Sequence, residues 1–212
     1  MQPEPVRDDF DSPTLRLAWN FIRNPHDKDW SLTDHPGYLR LNGSKYNFEK
    51  KKSPAFIGRR QTAFNIVAST KLTFTPTAEN EEAGLIVRAN DTNHYDLLVT
   101  LFEGNRVVMF RKYLRNKVAD VTYKEIPDRG IILRISATGP EYKFWVQQEG
   151  YAAVLLGTAT TRDVSTEKVG GFTGVYIGMY ASGNGEANAN PADFDWFDFE
   201  ENAGPPYEWA GE

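Results

Sequence analysis

Short segments in which apolar and polar residues alternate follow one another along the chain, and turn-forming residues separate them. The longest runs from Phe64 to Phe74 with a period of two, the pattern of a β-strand with one face on a core. Similar segments lie at 38–41, 83–89, 94–101, 106–113, 131–137 and 142–147. Turn sequences such as Asn42-Gly43 suit hairpins, and no window shows a capped helical repeat. The pattern predicts an all-β fold, an antiparallel β-sandwich.

A further segment of this kind, residues 193–200, changes its apolar face partway along. Phe194 and Trp196 share one phase of the alternation, whereas Phe197 and Phe199 occupy the other. An extra residue in one strand shifts the alternation by one position. The sequence therefore predicts a bulge or a sharp twist close to Trp196.

Composition limits the classes of function. With 212 residues, 40% of them hydrophobic, the chain can build one sizeable core. A net charge of -5 and the lack of a long apolar stretch argue against nucleic-acid and membrane partners. Without cysteine there are no disulfides, thiolate metal sites or cysteine nucleophiles. We divide the chain into a linker (1–7), one sandwich domain (8–200) and a flexible tail (201–212). The sequence leaves localisation open, either cytoplasmic or secreted.

No catalytic apparatus stands out in the sequence. The three histidines lack the spacing of a zinc site, and Ser182 lacks the flanking glycines of a nucleophile elbow. Glu79, Glu81 and Glu82 cluster in a segment that we interpret as a solvated turn. We therefore predict no catalytic residue in this chain.

Acidic residues near the two termini predict a calcium site. They are Asp8, Asp9 and Asp11 near the start, and Asp193, Asp195 and Asp198 near the end. The two groups would meet if the terminal strands pair, and calcium takes several oxygen ligands. The expected ligands are Asp9, Asp11, Asp193 and Asp195. Alternatively, these carboxylates protect strand edges from aggregation.

Sugar binding requires aromatic faces for stacking and planar polar groups for hydroxyls. The run 170–185 contains aromatic residues between glycines, which let a loop turn tightly and approach a ligand closely. The candidates for carbohydrate binding or pocket closure are Phe172, Trp30, Arg23, Asn24, Arg59, Arg60, His94, Tyr176 and Tyr180. Adjacent Arg59 and Arg60 should point to opposite faces of a strand. The alternative is that glycines and aromatics build corners of the sandwich, and that Trp19, Trp145 and Trp196 are core residues.

Several blocks together carry a family resemblance. They are Asp9-Phe10-Asp11-Ser12-Pro13, Trp19-Asn20-Phe21-Ile22-Arg23-Asn24-Pro25, Gly170-Gly171-Phe172-Thr173-Gly174 and Ala192-Asp193-Phe194-Asp195-Trp196-Phe197. The chain resembles the C-terminal domain of β-xylosidases of glycoside hydrolase family 43, also classed as carbohydrate-binding module family 91. The resemblance implies a concanavalin A-like jelly roll, with the catalytic residues on a separate five-bladed propeller. It also implies calcium in the sandwich and an aromatic loop that helps close the xylose pocket, where Phe172 is the matching position.

The resemblance favours a non-catalytic accessory domain that binds xylan or xylo-oligosaccharides and helps to shape the active site of a propeller. The parent enzyme would be a family 43 β-xylosidase or α-L-arabinofuranosidase. Two alternatives remain open: a glycoside hydrolase that acts on xylosides in its own right, and a purely structural domain that docks on the propeller.

Overall fold

Two antiparallel sheets face each other in the computed structural model, which describes residues 5–48, 52–171, 174–188 and 190–202. The first sheet contains β1 (Arg7–Asp8), β3 (Trp30–Ser31), β4 (Leu39–Leu41), β6 (Ile66–Thr73), β11 (Ile131–Thr138), β12 (Glu141–Gln148), β13 (Val154–Thr160) and β15 (Ala192–Glu201). The second contains β2 (Asn20–Phe21), β5 (Ala55–Arg60), β7 (Glu82–Asn90), β8 (Asn93–Phe102), β9 (Asn105–Leu114), β10 (Lys117–Glu125) and β14 (Tyr176–Ser182). This is the predicted all-β sandwich.

The last two strands of the chain are inner strands, with β15 between β6 and β4 in the first sheet and β14 between β7 and β5 in the second. The first sheet has the order β13-β12-β11-β6-β15-β4-β3, with β1 paired to β15, and the second has the order β10-β9-β8-β7-β14-β5-β2. Short 3-10 helices lie at Asp27–Asp29 and Thr161–Val164, and α1 spans Thr166–Val169. Among the described residues, none of the helices has the length and apolar character needed to cross a bilayer.

One core fills the space between the two sheets. Its members alternate along the strands, as in Leu85 and Val87 of β7 and Leu97 and Val99 of β8, all fully buried. Each such side chain contributes about 1.5–3 kcal/mol when it is removed from water. A second, smaller cluster of Phe48, Phe56, Ile86, Leu98 and Tyr180 lies on the opposite face of the second sheet. The segment around Phe48 therefore covers part of this outer face.

The predicted irregularity in the last strand is confirmed. The pairing of β15 with β6 shifts its register between Phe194 and Trp196. The extra residue returns Phe197 and Phe199 to the face that Phe194 occupies, so all three rings are buried in the main core. Trp196 is left on the other face, where the Arg7 guanidinium lies 4.3 Å from its ring centroid.

The start of one predicted strand needs correction, and two edge strands were missed. Phe64 does not begin a strand, because β6 starts at Ile66 and Phe64 is 86% exposed in the preceding turn. Strands β10 and β13 were not predicted, and the pairing of each with its neighbour contains a register shift. All nine residues of β10 are exposed, so this edge strand has no core face to impose an apolar alternation.

Candidate functional site

The loop predicted to close a sugar pocket connects α1 to β14 at one end of the sandwich. Phe172 itself lies outside the described residues. On both sides of it, Gly170, Gly171 and Gly174 have φ values of 73°, 85° and 73°. Because only glycine adopts this backbone conformation without steric cost, the three glycines are required for the path of the loop. The local geometry therefore agrees with a tight glycine-dependent turn at this position.

Arg60 and Tyr176 lie next to this loop and contact each other. They are directly paired across β5 and β14. The phenol oxygen of Tyr176 accepts hydrogen bonds from Nη2 and Nε of Arg60 at 2.8 and 3.2 Å. Arg60 is exposed and Tyr176 is half-buried. A solvent-facing guanidinium beside an aromatic ring is a combination that can contact both the hydroxyls and the C–H face of a sugar.

Two clefts flank the crossover that leads from β13 to β14. One, of about 500 Å³, lies against Phe64, Tyr142 and Val175. The other, of about 620 Å³, lies against Asn93, Lys168 and Val169. Surface clefts and an exposed aromatic ring thus occur at the same end of the sandwich as the Phe172 loop.

Arg23 is engaged in holding two loops together. It donates to the carboxylate of Asp91 and, at 2.6 Å, to the carbonyl oxygen of Lys52. The second carboxylate oxygen of Asp91 accepts from Arg88 at 2.5 Å. Asn24 follows Arg23 in the same exposed loop. The structure thus brings Arg23 close to the β7–β8 turn, on the side of the second sheet that carries Tyr176.

Trp30 and Arg59 do not join this group. Trp30 is half-buried, packs against Phe21 with ring centroids 5.3 Å apart, and extends the main core. Arg59 points away from Arg60, as predicted, and its guanidinium lies 4.8 Å from the ring centroid of Phe199. Trp19 and Trp145 are buried, so the core interpretation is correct for both.

His94 and Tyr180, two of the candidates for carbohydrate binding or pocket closure, do not lie on an open surface. They are only 4% and 1% exposed, because Phe48 covers them. Both belong to a buried ionic network on the outer face of the second sheet. Nδ1 of His94 lies 2.5 Å from the carboxylate of Asp96, and the hydroxyl of Tyr180 donates to Glu82 at 3.3 Å.

Arg111 connects the two halves of this network. Its Nε donates to Asp96 at 2.7 Å, and its terminal nitrogens donate to Glu82 at 3.2 and 3.3 Å. Burial opposes ionisation of Asp96, but the charges and hydrogen bonds of His94 and Arg111 outweigh it, so the pKa of Asp96 is lowered. Burial also raises the pKa of Tyr180 well above its ordinary value, and the neighbouring Glu82 charge adds to this. Asp96 is therefore ionised around neutral pH, and Tyr180 keeps its proton.

Sequence reasoning missed Glu82, Asp96 and Arg111. The interpretation of the 79–82 segment as a solvated turn was wrong for Glu81 and Glu82, which are 3% and 6% exposed. A signal was present, because positions 94 and 96 fall on the same face of one strand and both carry ionisable groups. The contribution of Arg111 from the next strand required the register between β8 and β9, in which Asp96 faces Arg111.

The acidic residues at the termini are distributed over separate contacts. The terminal strands do pair, with Arg7 opposite Asp198. Asp193 accepts from Arg40 at 2.7 and 2.8 Å and contacts His35 at 2.9 Å, whereas Asp195 pairs with Lys71 at 2.9 Å. Burial of Asp193 raises its pKa, but hydrogen bonds from Arg40 and His35 outweigh this and lower it.

Asp9 and Asp11 are exposed in the turn after β1. Across the described ranges, no three or more Asp, Glu or His side chains come close enough together to hold a metal ion. Calcium binding by Asp9, Asp11, Asp193 and Asp195 therefore stays a prediction, and it would require side chains to leave their present partners.

Comparison with known proteins shows what the chain is similar to. Residues 7–200 match the family described as "Beta xylosidase C-terminal Concanavalin A-like domain". The non-reducing end alpha-L-arabinofuranosidase BoGH43B of Bacteroides ovatus is 62% identical over 197 residues, which are 92% of this chain and 37% of that protein. A xylosidase/arabinosidase of Butyrivibrio fibrisolvens is 29% identical over 91% of this chain and 37% of its own length.

The fold agrees with that of a solved relative. The structure described as Bacteroides ovatus Xyloglucan PUL GH43B superposes with a TM-score of 0.92 and 60% sequence identity, covering 94% of this chain and 40% of that one. The chain thus spans well under half the length of the relatives that it matches.

Proposed function

Because the chain belongs to the β-xylosidase C-terminal concanavalin A-like domains of glycoside hydrolase family 43, we propose that it is a non-catalytic accessory domain of a xylosidase or arabinofuranosidase. In this role it docks on a propeller catalytic domain, contributes the Phe172 loop to the active site and contacts xylan or xylo-oligosaccharides. The observation that carries the proposal is the match over residues 7–200 to relatives of which this domain forms only about 37%.

The distribution of carboxylates supports a non-catalytic role. Glycoside hydrolysis commonly uses two carboxyl groups on either side of the scissile bond, about 5–10 Å apart. The buried carboxylates Glu82 and Asp96 both accept from Arg111, and Asp193 accepts from Arg40. Groups held as ion pairs in this way are poorly suited to donate a proton to a leaving group or to attack a sugar.

The end of the sandwich that carries Phe172 is the side best suited to meet a catalytic domain. Phe64 projects there with 86% of its surface exposed, and an exposed aromatic ring gains stability when a partner covers it. Arg60 and Tyr176 lie next to the same loop and provide polar contacts for a sugar or for the partner. The crossover with its two clefts offers the remaining surface.

A purely structural role is the second candidate. It is favoured by the burial of His94 and Tyr180 and by the packing of Trp30 against the core. These three residues were expected to bind sugar, and in their present positions they stabilise the domain. A structural domain would dock on the propeller in the same way but would have no measurable affinity for xylan by itself.

Substitution of Phe172 tests the accessory role. In a protein that joins this chain to its catalytic domain, Phe172→Ala should lower kcat/KM for xylobiose about 5- to 150-fold, or about 1–3 kcal/mol, because positioning and water exclusion weaken. Tyr151→Ala is the matched control, since Tyr151 is a 59% exposed aromatic residue at the opposite end of the sandwich. Equal kinetics for both variants would contradict the proposal.

Binding titrations of the 212-residue chain with xylan, arabinoxylan and cellulose separate the two candidates. Saturable binding to a xylan supports the carbohydrate-binding role. Absence of binding to all three, combined with an effect of Phe172→Ala on turnover, would leave a domain that acts only on the catalytic partner.

A further inference from the structure

Exposed apolar side chains concentrate at the side of the sandwich where both sheets end. Strands β10 and β13 are the last strands of their sheets, and Lys124 of β10 and Val154 of β13 border the same cleft. Nine large apolar residues are exposed among the described ones, and six of them lie on these strands or in the turn before β13: Val118, Val121, Tyr123, Tyr151, Val154 and Leu155. Such clustering of exposed apolar residues marks an interaction surface.

Strand β10 has an open edge at this surface. Within the part of the chain that the structure describes, it pairs only with β9. In an antiparallel strand, alternate residues turn their N–H and C=O groups away from the neighbouring strand. Because β10 is an outermost strand, it presents this row of backbone donors and acceptors to any further strand that approaches.

The side chains of β10 alternate regularly after its bulge. The register shift lies between Val118 and Asp120, and from Asp120 to Glu125 each residue faces one residue of β9. Val121 and Tyr123 lie on the outer face of the sheet, where the ring of Tyr123 packs on Phe102 with centroids 4.7 Å apart. Asp120, Thr122 and Lys124 occupy the alternate positions.

This segment is complementary to its own reversed order. When two copies of β10 are aligned antiparallel about Thr122, Asp120 of each copy lies opposite Lys124 of the other. The same alignment places Val121 opposite Tyr123 and the two Thr122 residues opposite each other. Facing residues in an antiparallel pair project to the same side of the sheet, and unlike charges, aromatic and β-branched residues, and two threonines are all favourable facing pairs.

The charges are accessible and select this register. Asp120 pairs with Lys112 at 3.1 Å, but its side chain is 52% exposed and has room for a second cation. Lys124 is exposed as well. An alignment centred on Val121 would place Thr122 opposite Asp120, and one centred on Tyr123 would place Thr122 opposite Lys124. Charged residues usually protect an edge strand from pairing, whereas the alignment about Thr122 joins unlike charges in both copies.

We propose that β10 binds the β10 strand of a second copy of this chain in this register, so that the second sheet continues across a twofold axis. A stable interface buries about 800 Å² on each partner, more than one pair of short strands supplies, so the dimer forms only at high concentration. Strands β9, β8 and β7 separate β10 from β14, into which the Phe172 loop leads. The contact is therefore separate from the one proposed for that loop.

The oligomeric state of the 212-residue chain tests the inference. Sedimentation velocity between about 1 µM and about 1 mM should show a monomer that converts to a dimer as the concentration rises. Hydrogen–deuterium exchange should locate the contact, with lower deuterium uptake over 117–125 in the dimer. A chain that stays monomeric over this range would overturn the inference, and so would a dimer in which β13 is protected and β10 is not.

Charge reversal tests the register. Asp120→Lys and Lys124→Asp each place like charges opposite each other, so either variant should raise the dimer Kd about tenfold or more. An equimolar mixture of the two variants joins unlike charges again and should associate with a Kd close to that of the wild type. The double variant Asp120→Lys/Lys124→Asp should recover self-association for the same reason.

Glu200→Lys is the matched control, because it makes the same change of charge at an exposed position of β15, an inner strand of the other sheet. Its dimer Kd should equal that of the wild type. Failure of both the mixture and the double variant to associate, or an equal loss in Glu200→Lys, would refute the pairing of β10 with itself. Neither a sugar nor a catalytic domain enters this test, so the inference and the proposed function fail separately.

Discussion

Replacement of Arg111 by methionine should reveal how strongly the buried ionic network depends on its one connecting cation. Arg111→Met keeps most of the aliphatic volume but removes the guanidinium hydrogen bonds to Asp96 and Glu82, whose side chains are 0% and 7% exposed. Breaking a buried ion pair by removing one partner costs about 3–5 kcal/mol. For a chain of 212 residues, at about 2–4 °C per kcal/mol, the expected drop in Tm is about 6–20 °C.

The loss should depend on pH. In the wild type the pKa of Asp96 is lowered, so its ionisation contributes stability above the unfolded pKa of about 3.9, and this is lost as pH falls through the folded pKa. In Arg111→Met the opposing effect of burial is left with weaker compensation, so the pKa of Asp96 should rise. Protonation of Asp96 in acid then removes the uncompensated buried charge from the variant. The difference in stability between wild type and variant should therefore shrink from pH 7 to pH 5.

Urea unfolding monitored by circular dichroism at both pH values measures this difference. The control is Arg7→Met, because Arg7 makes an equally close two-point contact with Asp198, at 2.7 Å, with its own side chain 48% exposed. An exposed pair with a cation–π contact should cost no more than about 1–2 kcal/mol. The reasoning is wrong if the two variants lose the same stability at pH 7, or if the cost of Arg111→Met grows towards pH 5.

Three further predictions concern other parts of the domain. Gly178→Ala should destabilise the fold by about 1–3 kcal/mol in urea unfolding, because a Cβ there would lie 2.4 Å from the backbone of the neighbouring strand β5. Gly130→Ala is the control and should be better tolerated, because a Cβ there has no contact closer than 3.4 Å. Phe64→Ser should leave the melting temperature nearly unchanged, since the ring is 86% exposed, yet weaken association with a separately expressed catalytic domain. Calcium binding predicts a gain of about 2.7 kcal/mol at a hundredfold excess over Kd, and identical melting curves in calcium and in chelator would refute it.

The sequence by itself determined the fold class and the course of individual strands. A strand with one face on the core has apolar residues at every second position. Strands β6, β8, β11 and β12 could therefore be located from the sequence alone. The same rule exposed the bulge in β15, since Phe194 and Phe197 can share a core only if one residue is added between them. The glycines around Phe172 were also readable, because glycine adopts the positive φ of a tight loop without steric cost.

Only the tertiary structure decided which polar residues are buried and with which partners. His94 and Tyr180 were predicted at a sugar-binding surface, but the covering segment with Phe48 removes them from solvent. The network of Glu82, Asp96 and Arg111 joins three strands, and its members meet through strand register and sheet order. The energetic reason is that a buried charge is tolerated only where a partner neutralises it, and such partners come from positions distant in the chain. Sequence periodicity assigns a residue to a face, and the packing of other elements against that face decides whether the residue is exposed or buried.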